Sequence, residues 1–109
     1  VLQNEVRRIK VTEQVKNYIV KIVSVTRNDR NTTLGISPRG SIALYKASKA
    51  FAYIHERSYA TPDDVKNTAV SVLSHRIILS PQGKTTFGTS EEYIRSLLKN
   101  CEVPSMGGR

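Results

Sequence analysis

The sequence predicts a small all-α protein: a bundle of four helices preceded by one short strand. Three observations predict it. Four segments carry apolar residues at helical spacing, and each opens on a hydroxyl side chain suited to a helix start. The third is length, since 109 residues suffice for one domain. Residues 1–104 form that domain, and Ser105-Met106-Gly107-Gly108-Arg109 reads as a disordered C-terminal tail.

The β-branched residues of Val6-Arg7-Arg8-Ile9-Lys10-Val11 mark the candidate strand. Thr12 then serves as an N-cap, with Glu13 and Gln14 in a first turn whose dipole favours negative or acceptor groups. Val15, Tyr18, Ile19, Ile22, Val23 and Thr26 follow on one face, so the first helix ends near Arg27. Residues 28–37 are polar and turn-rich and read as a loop.

Ser37 caps the second helix, and Pro38 sits at its first position, where a missing N–H costs nothing. Ala43, Leu44, Ala47, Ala50, Phe51 and Ile54 share a face, and the alanines allow neighbouring helices to come close. This is the expected central element. Thr61-Pro62-Asp63-Asp64 opens the third helix, with Val65, Ala69, Val72 and Leu73 as its stripe. It ends between His75 and Ile78, because Pro81 and Gly83 oppose continuation. Thr89 and Glu92 form a capping-box pattern for the fourth helix. Tyr93, Ile94, Leu97 and Leu98 face inward, and Pro104 stops it.

Charge narrows the partners. Seventeen Lys and Arg against nine Asp and Glu give a formal net charge of +8, which favours anions such as phosphates, nucleic acid or acidic protein surfaces. No apolar run is long enough to span a bilayer, and no basic stretch leading into an apolar one opens the chain. Cys101 is the one cysteine and cannot pair within the chain, in keeping with a reducing compartment.

Several short motifs imitate chemistry. Gly83-Lys84-Thr85 matches the end of a phosphate-binding P-loop, but the position that needs its first glycine is Ile78, so the segment reads as a turn. Tyr45-Lys46-Ala47-Ser48-Lys49 matches the Tyr-x-x-x-Lys of short-chain dehydrogenases without any Gly-rich nucleotide turn to serve it. His55, His75 and Cys101 lie on separate elements with no nucleophile pattern, and Asn31-Thr32-Thr33 is a bare glycosylation sequon. Arg39 is different. It occupies the second position of the helix that Ser37 and Pro38 open, where the dipole disfavours a cation and unpaired backbone N–H groups suit an anion. A guanidinium placed there is suited to phosphate oxygens, against the plainer reading of a solvated arginine.

The run Gly35-Ile36-Ser37-Pro38-Arg39-Gly40-Ser41-Ile42-Ala43-Leu44 resembles the start of the C-terminal lid domain of MoxR-type AAA+ ATPases. The likeness continues through Lys49-Ala50-Phe51-Ala52, Arg57-Ser58-Tyr59-Ala60-Thr61-Pro62-Asp63-Asp64-Val65 and Val72-Leu73-Ser74-His75-Arg76-Ile77-Ile78-Leu79. Upstream, Val6-Arg7-Arg8-Ile9 and Thr26-Arg27 fit the same lid, so the resemblance covers nearly the whole chain. It departs at Glu56, where Gly or a polar residue is frequent, and at Gly40, where a small residue such as Ala is usual.

The resemblance implies that Arg39 is the second sensor, shown by the lid to the phosphates of ATP and supported by the cap residues Ser37 and Pro38. It also implies that ATP and Mg are held mainly by a preceding α/β domain, so that the lid alone hydrolyses nothing. Expected partners are that ATPase domain, neighbouring subunits of a cytoplasmic hexameric ring, and a von Willebrand A-domain protein, in chaperone-like remodelling or enzyme maturation. The alternative is a basic helical module for nucleic acid, carried by Arg7, Arg8, Lys10, Lys16 and Lys21. Against it stand the scatter of basic residues over all elements and the lack of a base-reading row. A pure interaction scaffold is the third possibility.

Overall fold

The computed structural model describes residues 5, 6, 8–101 and 103. Five α-helices lie wholly within them: α1 (Glu13–Arg27), α2 (Pro38–Ile54), α3 (Pro62–Leu73), α4 (Pro81–Phe87) and α5 (Ser90–Asn100). A 3-10 turn, Ser74–Arg76, follows α3, and two short strands, β1 (Thr32–Leu34) and β2 (Ile78–Leu79), pair antiparallel.

One capping device starts all five helices. A hydroxyl oxygen of Thr12, Ser37, Thr61, Ser80 or Thr89 accepts the N–H three residues on, at 3.1–3.4 Å. Each such cap contributes about 1 kcal/mol by satisfying one of the amides that the first turn leaves without a partner. In α2, α3 and α4 a proline follows the cap, so Ser-Pro or Thr-Pro marks three of the five starts.

The core collects one face from each layer. Val15, Ile22 and Val23 of α1, Leu44 of α2, Val65 and Leu73 of α3, and Tyr93 and Ile94 of α5 are at most 2% exposed. Ile36, just ahead of α2, and Leu79 of β2 join the same cluster. Transfer of such side chains from water, about 1.5–3 kcal/mol each, is the main term holding the bundle together. A smaller cluster of Ile9, Ala52 and Ala60 lies at the far end of α2, whose most extensive packing is against α3.

Four expectations need correction. The N-terminal strand is absent from the described part of residues 6–11: Val6 is helical, and Lys10 makes only an isolated bridge to Tyr59. Its amide donates to Ser58 O and its carbonyl accepts from Ala60 N, which ties the segment down without a ladder. The loop of 28–37 contains β1, which pairs Thr32 with Leu79 and Leu34 with Ile78. There are five helices rather than four, because Ser80-Pro81 begins α4 where Pro81 and Gly83 were expected to end structure. Finally, the buried stripe of α2 is Gly40, Leu44, Ser48 and Ala52, rotated from the expected alanine face; Ile54 is 72% exposed. Ser48 sits in the core because its hydroxyl donates to Leu44 O at 2.8 Å, satisfying itself within the helix. The proposed stop at Pro104 and the tail of 105–109 lie outside the described residues, as does Arg7.

Candidate functional site

Ser37, Pro38 and Arg39 sit where the α1–α2 connection meets the first turn of α2. Ser37 is extended (φ −79, ψ 169), as the residue before a proline must be, and its hydroxyl accepts from Gly40 N at 3.4 Å. Arg39 is exposed, and no hydrogen bond or ion pair joins it to another described residue. Its charge stands against the positive end of the α2 dipole, an unfavourable placement until an anion arrives.

Two further arginines surround this turn, and the sequence reading gave them no role of their own. Arg27, in the last turn of α1, donates from Nε to Ile36 O at 2.7 Å. Its cation lies at a helix C-terminus, where the dipole favours it. Arg76 lays its side-chain methylenes beside Gly40: a Cβ built on Gly40 would lie 3.3 Å from Arg76 Cδ and 2.5 Å from Ile36 Cγ2. Gly40 is therefore a buried contact point. The glycine at which the resemblance departs is the condition for Ile36 and Arg76 to close over α2. Only the resemblance marked Arg27 and Arg76, because helical periodicity says nothing about exposed positions.

The connection itself is tightly fixed. Ile36 is 1% exposed, and its N–H donates to Thr26 Oγ1 at 2.9 Å. Gly35 lies against α1 so closely that a Cβ would fall 2.6 Å from Thr26 O. Thr26, buried within α1, is thus both a core residue and the hydrogen-bond socket for the chain entering α2.

The other sequence candidates resolve into structure. Gly83-Lys84-Thr85 is helical in α4, and Gly83 is needed because a Cβ would come within 2.1 Å of Asn31 O. Lys49 Nζ lies over the Tyr45 ring, 5.3 Å from its centroid, which is a cation–π contact. His55 stacks on Phe51 at 4.2 Å, with Nδ1 2.9 Å from Phe51 O. Cys101 is buried, and burial pushes its thiol up in pKa despite Lys21 nearby, the opposite of what a nucleophile needs. It lines a half-open pocket of about 320 Å³ that includes neither histidine. Asn31, the sequon residue, turns its amide inward to Asp29 Oδ1 at 2.9 Å.

Among the described residues no group of three His, Cys, Asp or Glu could hold a metal ion, and no helix is long and apolar enough to cross a membrane. Two broad surface clefts, one at Ser24, Asn28 and Gln82 and the other at Arg8, Tyr53 and Arg57, do not include Arg39.

Comparison with known proteins completes the description. The family described as AAA lid domain matches residues 24–97. The "Uncharacterized protein YeaC" of Bacillus subtilis is 42% identical over 103 residues, covering 94% of this chain and 32% of that protein. "Chaperone MoxR1" of Mycobacterium tuberculosis is 28% identical over 99 residues, covering 83% of this chain and 26% of its own length. A crystal structure of a "putative ATPase" from Cytophaga hutchinsonii superposes with a TM-score of 0.84 at 27% identity, over 94% of this chain and 34% of that one. The chain spans about a third or less of the length of each.

Proposed function

Because the chain belongs to the AAA lid domain family, as a lid of the MoxR type, we propose that it is the lid of an ATP-hydrolysing machine and that Arg39 is its second sensor. One observation carries the reading. An exposed guanidinium without an internal partner stands on the first turn of α2, at the helix end where an anion is favoured and a cation is not. Phosphate oxygens meet both needs, since the planar fork of arginine binds two of them at once.

The residues present fit the phosphate part of ATP and leave the metal to another body. Arg39 supplies one positive group. The reading assigns Mg to a preceding nucleotide-binding domain; among the described residues no group of three His, Cys, Asp or Glu could hold it. Phosphoryl transfer depends on positioning and on stabilising charge with parts from several elements, so the lid alone is inactive. ATP contributes the phosphoryl group, and Arg39 offsets charge on its terminal oxygens. Ser37 and Pro38 hold the turn from which Arg39 projects. Lid movement on hydrolysis then transmits work to a client in chaperone-like remodelling or maturation, within a cytoplasmic hexameric ring and with a von Willebrand A-domain protein as a further partner.

The test is Arg39→Ala in the longer ATPase that carries this lid. ATP turnover is expected to fall by roughly one to several orders of magnitude, as it does when an arginine stabilising phosphoryl transfer is lost. Unchanged turnover in the folded variant removes Arg39 from the mechanism.

A further inference from the structure

We propose that Arg27 is the positioning residue for Arg39: from the end of α1 it holds the peptide from which the sensor turn departs. The proposal rests on the second-sensor reading of Arg39.

Both backbone polar groups of Ile36 are taken by consecutive side chains of α1. Its N–H goes to Thr26 Oγ1 at 2.9 Å and its C=O to Arg27 Nε at 2.7 Å. The two peptide planes that flank Ile36 are thereby set, that of Gly35–Ile36 through its N–H on Thr26 and that of Ile36–Ser37 through its C=O on Arg27. Ser37 has little freedom left, because Pro38 confines it to extended backbone and it is observed there. With those planes fixed, the axis of α2 and the direction of the Arg39 Cα–Cβ bond follow.

The contacts that hold Ile36 differ in kind. The buried Ile36 side chain and the Thr26 hydroxyl are neutral core features that any stable connection would need. Arg27 is exposed, and its bond to Ile36 O is only partly buried. Water could satisfy that carbonyl at little loss, so stability alone does not require an arginine. What water cannot supply is direction. A planar guanidinium donating from Nε fixes the carbonyl's orientation, and its base on α1 is rigid.

The roles separate in a double-mutant cycle on the longer ATPase. Arg27→Ala is expected to lower kcat about tenfold, with a smaller change in KM for ATP and a nearly unchanged melting temperature. In an Arg39→Ala background, the same substitution is expected to cause no further loss, because Arg27 acts through Arg39. Arg27→Lys keeps the charge but lacks the side-on N–H, and it is expected to lose as much as Arg27→Ala. Turnover within about twofold of wild type in Arg27→Ala, beside a large loss in Arg39→Ala, overturns the positioning role and leaves the sensor reading standing. Equal losses in both backgrounds overturn it in favour of a plain structural role, and full activity in Arg27→Lys overturns it in favour of a charge effect. An unchanged Arg39→Ala variant overturns the sensor reading, and the positioning role with it.

Discussion

Arg57 and Asp64 form an ion pair across the α2–α3 connection, through Nη2 and Oδ1, with the Asp64 side chain 1% exposed. The second oxygen of the same carboxylate accepts Thr61 N at 2.7 Å, while Asp64 N donates to Thr61 Oγ1 at 3.3 Å. One buried residue therefore closes the capping box of α3 and pins the chain leaving α2. Asp64→Ala would remove both and leave Arg57 without its anion. It is expected to cost about 3 kcal/mol in urea unfolding, within the range for breaking a buried pair. Asp63→Ala, one position earlier and exposed, is expected to cost under about 1 kcal/mol. Equal costs for the two would show that the pair contributes nothing special.

The turn between α2 and the Arg57 segment offers a stabilising change. Glu56 has φ 61, the left-handed region that L-residues with a Cβ enter at a cost of about 1–2 kcal/mol. The side chain is exposed, and no ion pair joins it to another described residue to compensate. Glu56→Gly relieves the strain but gives the unfolded chain more freedom, so the net gain is expected to be about 0.5–1 kcal/mol. A rise of a few degrees in the thermal midpoint would register it, and a fall would show that Glu56 makes a contact worth more than its strain.

The two ends of the pH scale act on different groups. Burial pushes Tyr18 up to about 12, helped by Cys101 and Asp63, and its hydroxyl is buried without a hydrogen-bond partner among the described residues. Tyr93 is raised further, by burial first and then by donating to Asp29 Oδ2 at 2.6 Å. In the unfolded chain tyrosine ionises near pH 10, so their contribution is intact below about 10 and lost as pH climbs through 12. Tyrosinate absorbance should therefore rise together with alkaline unfolding, and Tyr18→Phe should raise the unfolding midpoint. Asp29 runs the other way. Burial alone would raise it, but hydrogen bonds from Tyr93 and Asn31 outweigh burial and hold it below the usual carboxylate range. Its contribution is present above about pH 4 and fades as pH falls through its depressed value. Tyr93→Phe should remove part of that acid dependence.

What was legible in the sequence followed from local physics. Thr12, Ser37, Thr61 and Thr89 announce helices because a hydroxyl before an apolar period has one obvious use, and all four caps form. Ser80-Pro81 carried the same signal, but Gly83 two residues on reads as a breaker when its reason is hidden. That reason is the Asn31 carbonyl from a segment fifty residues away, which leaves no room for a Cβ. The strands were illegible because two or three residues carry no period, and only their pairing, Thr32 with Leu79 and Leu34 with Ile78, defines them. At the site, the position of Arg39 could be read from its own helix. Arg27 and Arg76 could not, because what brings them to the turn is the packing of α1 and of the 3-10 turn against α2.

Gly40→Ala sets helix propensity against packing. In an isolated helix alanine is better than glycine by about 1 kcal/mol, so the first turn of α2 would gain from the change. In the folded chain the new methyl would lie 2.5 Å from Ile36 Cγ2, and Ile36 is a β-branched side chain, stiff at χ1 and 1% exposed. Overpacking a filled site costs about 1–3 kcal/mol, so the balance is expected to be a net loss of about 1 kcal/mol in urea unfolding. The displacement would also reach function, since Ile36 can move only by dragging its carbonyl on Arg27 and its amide on Thr26. In the longer ATPase proposed above, Gly40→Ala is therefore expected to lower turnover through the aim of Arg39. A Gly40→Ala variant more stable than wild type would show that the turn is looser than its hydrogen bonds indicate.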